Sequence, residues 1–85
     1  MTPVNRQIRF YQRYGDKYVG EIPLNRVDLN DLLLLVTADK YGDDYLLYNC
    51  YPLDKVMLDK IAALDNQQFV LDLDNYEYFL EATAK

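Results

Sequence analysis

The chain has 85 residues, 51% of them apolar and 27% charged, which suits one globular domain with a single core and excludes both a disordered chain and a two-domain protein. One cysteine excludes an internal disulfide and points to a reducing compartment. The longest apolar run is "LLLLV" at 32–36, against the roughly 20 residues that cross a bilayer, so a cytoplasmic chain with no membrane partner is expected.

Residues 1–15 contain no apolar run before a small-residue cleavage site, unlike a secretory leader. The net charge of −5 is unevenly spread: +3 over residues 1–26 and −8 over residues 27–85. Such an acidic body repels phosphate, so no nucleic acid is expected as a ligand. It favours a protein partner with a basic surface.

Ile8, Phe10, Gln12 and Tyr14 alternate with Arg9, Tyr11 and Arg13, and Tyr18, Gly20, Ile22 and Leu24 repeat the pattern after "GDK". Period two on both sides of a short Gly-containing loop predicts a hairpin, 7–14 with 18–24. The expected register sets Tyr14 against Tyr18 and Phe10 against Ile22. Pro23 lacks a ladder donor and should end the second strand or hold it at an edge. Asp28 reads as the N-cap of a helix over 29–37, with Val27 and Leu32 placed as a hydrophobic staple. Leu29, Leu32, Leu33 and Val36 form one stripe of that helix; Leu34 and Leu35 lie off it.

"ADKYGDD" at 38–44 has loop chemistry. "YLLYNCY" reads as a strand over 45–51, stopped by Pro52. Asp54 then opens a helix over 54–64 carrying Leu53, Met57, Ile61 and Leu64 at helical spacing. Phe69, Leu71 and Leu73 share one parity, whereas Tyr76, Tyr78 and Leu80 share the other. The closing strands 69–73 and 76–82 are therefore separated at Asp74-Asn75, by a two-residue turn or by a bulge in one long strand. The turn is preferred because Asp and Asn tolerate positive φ. The sum is an α+β domain in two layers: a mainly antiparallel sheet of four to five strands with both helices on one face.

Histidine and serine are both absent, which removes the common general base and the common nucleophilic dyads. A lone cysteine without histidine cannot assemble a structural zinc site. Neither "DKYGDD" nor "DLDNYE" has the ligand order of a calcium loop, and the three glycines do not cluster as a phosphate cradle. No metal and no cofactor is expected. A binding or structural module rather than an enzyme is the reading; the alternative is a carboxylate-dependent hydrolase using Asp43/Asp44 or Asp72/Asp74. Cys50 reads as a small buried hydrophobe. Arg9-Tyr11-Arg13 reads as a solvated hairpin face, the acidic remainder disfavouring single-stranded nucleic acid.

Nine of twelve aromatics are tyrosine. Most suit core-rim positions with wet hydroxyls. Tyr41, Tyr45 and Tyr76 instead neighbour Asp43, Asp44, Asp74 and Glu77, and acid around tyrosine suits a protein partner. These seven are the candidate partner-binding residues. Leu34, Leu35 and Phe79 exceed what one sheet face and one helix stripe can bury, and a homodimer through them is expected. A purely structural homodimer with no separate ligand is the remaining alternative.

"YVGEIPL" at 18–24, "YNCYPL" at 48–53 and "NYEYFLEA" at 75–82 resemble the motifs of a family of short uncharacterised bacterial proteins. The resemblance covers most of the chain and implies bacterial origin and a domain of unknown function. It carries over no functional residue. Some small acidic proteins encoded beside toxins are similar to this chain, which implies an immunity or inhibitor role.

Overall fold

The computed structural model describes residues 4–44, 46–47 and 49–84. Its elements run β1 (Val4–Gln12), β2 (Tyr18–Pro23), α1 (Leu29–Val36), α2 (Ala38–Tyr41), β3 (Tyr51–Leu53), α3 (Lys55–Leu64) and β4 (Tyr76–Ala84). The strands form one antiparallel sheet in the order β2-β1-β4-β3. The first and last strands are thus its central pair, matched from Val4↔Ala84 to Gln12↔Tyr76. This is an α+β fold.

One sheet face carries Ile8, Tyr51, Leu53, Tyr78 and Leu80, all buried. They meet Leu32 and Val36 of α1, Met57, Leu58 and Ile61 of α3, and Leu47 from the β3 approach. Both longer helices start on caps that the sequence announces. Asp28 accepts from Asp31 N–H at 2.9 Å, and Asp54 accepts from Met57 N–H at 2.8 Å. At its far end α3 closes in a Schellman motif. Gln67 N–H donates to Ala62 O (2.9 Å) and Asn66 N–H to Ala63 O (3.3 Å), with Asn66 left-handed at φ 54°.

The hairpin pairs differently from expectation. Ile8 faces Ile22 and Phe10 faces Gly20, with a bulge between Phe10 and Tyr11, so the register is displaced and the loop lengthens to 13–17. The reason is steric. The Phe10 ring lies over Gly20, where an added Cβ would stand 3.1 Å from Phe10 Cζ. A displacement of two residues keeps Ile8, Phe10, Gly20 and Ile22 on their expected face, but the bulge sets Tyr18 opposite Tyr11, on the other face from Gly20 and Ile22. Gly15 at φ 101° and Asp16 at φ 55° turn the loop.

Four further expectations are corrected. The strand expected over 45–51 is instead β3 at Tyr51–Leu53, and Pro52 lies inside it. An edge strand tolerates proline because one row of its donors has no ladder partner. Tyr45 and Tyr48 fall outside the described residues. Residues 69–73 form no strand: Phe69, Leu71 and Leu73 pack on the core while Val70 is 97% exposed, but no ladder pairs them. Alternation there reports burial, not pairing. The hairpin preferred at Asp74-Asn75 is instead a turn into β4, closed by Tyr76 N–H to Asp72 O at 2.9 Å. Finally, the loop at 38–44 contains α2, which starts after Thr37 breaks α1 at φ 71° and ends at Gly42.

Candidate functional site on the open face of the sheet

Both longer helices pack on one side of the sheet, which leaves the other side open. Period two sends Arg9 and Tyr11 of β1 and Glu77, Phe79 and Glu81 of β4 to that side. The register brings them together: Arg9 pairs with Phe79, and Phe79 in turn with Pro52. Tyr11 stands edge-on to Phe79 and to Tyr18, each at 5.7 Å between ring centres. Arg9 lies over the Tyr18 ring at 5.9 Å.

Polar bonds fix the cluster. Tyr11 Oη donates to Glu81 Oε2 at 2.7 Å, and Arg9 Nη1 is 3.7 Å from Glu81 Oε1. Acceptance of that bond by Glu81, with partial burial, pushes the Tyr11 phenol above its ordinary value. Arg13 donates to Glu77 at 3.4 Å and, through Nε and Nη2, to the carbonyls of Leu73 and Tyr76. It clamps the turn that launches β4, a job that sequence position gives no hint of.

Between these residues lies an open pocket of about 370 Å³, lined by Tyr11, Phe79, Cys50, Asp16, Glu77 and Glu81. Two aromatic rings and three carboxylates converge there. Glu81 already accepts from Tyr11 and lies beside Arg9, and Glu77 accepts from Arg13. The chemistry of this lining, rings beside carboxylates, is the kind that suits a cation on an apolar stem. Cys50 is exposed at its rim rather than buried as expected. Partial burial of its sulfur and the adjoining Glu81 carboxylate push the thiol up, away from thiolate reactivity.

Residues 5–81 match a family described as "Domain of unknown function (DUF7683)". The chain belongs to that family. No curated protein matches it, and no solved structure does.

The partner-binding candidates divide between the two ends of β4. Asp74 is exposed in the turn at its start, beside Tyr76 and Glu77. Tyr76 faces the core side, tilted against Phe10 at 5.6 Å, whereas Glu77 faces the open side. Asp43 is exposed near the β3 approach, and Tyr41 packs on the core. Asp44 accepts from Tyr51 Oη (2.5 Å) and from Asn49 N–H (2.9 Å). Burial, then that bond to Asp44, pushes the Tyr51 phenol up to about 12. Tyr45 lies outside the described residues; of the six described candidates only Glu77 lines the pocket.

Leu34, Leu35 and Phe79 are not one patch. Phe79 belongs to the open face; Leu34, 82% exposed, and the half-buried Leu35 lie on the helix side. Asp72 caps its own turn through Asn75, at 3.3 Å from N–H and 2.8 Å from Nδ2. Among the described residues no group of three or more His, Cys, Asp or Glu is placed to hold a metal ion, and no helix is long and apolar enough to cross a membrane. Sequence reasoning missed Tyr11, Tyr18 and Glu81. The shared parity of Arg9, Tyr11 and Arg13 was their signal, and only β4 pairing shows what they meet.

Proposed function

We propose that this chain is a non-catalytic binding module for a protein with a basic surface, seating a lysine or arginine of that partner in the open-face pocket. The observation that carries the reading is the convergence of the Tyr11 and Phe79 rings with Asp16, Glu77 and Glu81 on the sheet face that no helix covers. Tyrosine supplies contact area at low entropic cost, and the acidic rim raises the rate of encounter with a cation. An immunity or inhibitor role in the bacterial cytoplasm is the biological form this reading takes. A toxin gene beside this one supports it, and a metabolic operon does not.

The direct test is an amide-resolved NMR titration with the capped amides of arginine, lysine and glutamate. Arginine and lysine amides are expected to shift Tyr11, Glu77, Phe79 and Glu81, and the glutamate amide to leave them unmoved. Glu77→Gln with Glu81→Gln should remove the response while the rest of the spectrum persists. Equal response to all three probes, or none from the cations, refutes the proposal.

A further inference from the structure

On the helix side, α1 and α3 flank a groove of about 600 Å³. Leu34, Leu35, Met57 and Leu64 supply apolar walls, and Asp31 and Lys60 supply one charge of each sign. Leu34 stands 82% exposed and Leu64 46% exposed, so this surface has both a protruding apolar knob and a hollow. Few exposed leucines need explaining singly; one beside an apolar groove does.

We propose that the occupant of this groove is the same groove of a second copy, in a symmetric dimer. A two-fold axis along the groove sets each α1 against the partner's α3. Each Leu34 then enters the opposite hollow, and Asp31 of one copy meets Lys60 of the other, twice over. A surface that carries its own knob, its own hollow and both charges is self-complementary, which is the condition for an isologous interface. A foreign partner of uniform charge would leave either Asp31 or Lys60 facing its like. The ten residues of α3 extend about 15 Å, so the buried area is below the roughly 800 Å² per partner of a standard interface. The dimer is therefore weak and reversible. It leaves the open sheet face free, so it does not depend on the binding reading above.

Sedimentation equilibrium of the full chain from about 10 μM to about 1 mM tests it, the range in which weak association registers. Wild type is expected to shift from monomer toward dimer across this range. Leu34→Glu should weaken association at least about tenfold, as loss of a central apolar anchor does. Its fold should survive, since the side chain is exposed. Asp31→Lys and Lys60→Glu should each weaken the dimer, and the double exchange should restore it. Phe79→Glu should have no effect. A wild type that stays monomeric throughout overturns the proposal, as does a dimer indifferent to Leu34→Glu or charge exchanges that do not compensate.

Discussion

Asp65 is a buried carboxylate that ties the end of α3 to the segment between β2 and α1. It is only 2% exposed and caps the helix end. Oδ1 accepts from the backbone N–H groups of Asn25 (2.8 Å), Arg26 and Val27 (2.9 Å). Gln67 Nε2 donates to Oδ2 and also to Pro23 O at 3.0 Å. Burial pushes the carboxyl up, but the bonds from Arg26, Gln67, Val27 and Asn25 outweigh it and hold it below its ordinary value.

Replacing Asp65 by Asn keeps the shape and removes the charge. Each bond to a charged acceptor contributes about 1 kcal/mol more than a neutral one, so three amides lose about 2–3 kcal/mol. The new NH2 also confronts Gln67 Nε2, which cannot flip without releasing Pro23. Asp65→Ala, which orphans three amides, should cost about 3–5 kcal/mol. A domain of this length has roughly 4–13 kcal/mol in all, so either loss is large.

Urea unfolding followed by circular dichroism at pH 7 should show a lower midpoint for Asp65→Asn with an unchanged slope. The pH dependence has a definite sign. A depressed folded-state pKa contributes stability that is complete above the unfolded value, about 3.9, and is lost as pH falls through the folded value. The gap between wild type and Asp65→Asn should therefore narrow below about pH 4. Equal midpoints at pH 7, or a gap that widens in acid, refute the reasoning.

Two further outcomes are expected. Tyr51→Phe should cost about 1.5 kcal/mol, the worth of a bond to a charged acceptor, because it strips the Tyr51 donor from Asp44. The Tyr51 pKa is raised from 10.0 to about 12, so that contribution is full below about pH 10 and lost as pH rises through about 12. Ultraviolet titration should show that a late-ionising phenol near 12 disappears in the variant, while the raised Tyr11 phenol remains; a titration unchanged by Tyr51→Phe in its late phase counts against the contact. Asn66→Ala should cost about 1 kcal/mol in thermal unfolding, because Ala tolerates the φ of 54° at the Schellman position worse than Asn does. An unchanged midpoint would mean that the α3 terminus relaxes freely.

Local chemistry determined what the sequence by itself reveals. Asp28 and Asp54 announce the helices because a cap acts within three residues of itself, and the structure finds both bonds there. Alternation sorted Ile8, Phe10, Tyr78 and Leu80 onto the core side, since period two is a property of the strand alone. The same rule placed Phe69, Leu71 and Leu73 inward, although they belong to no strand. Hydrophobic period records which side is dry, and says nothing about which backbone supplies the hydrogen bonds. Tertiary structure decided that. Pairing β1 with β4 joins residues some seventy positions apart, and from it follow the Tyr11–Glu81 bond, the Arg13 clamp and the open-face pocket. It also separated Asp43 and Asp44 from Asp74 and Glu77, which look like one acidic site only while the chain is read as a line. Asp65 shows the limit most plainly: in sequence it is one more aspartate at a helix end, and its three amides arrive from forty residues away.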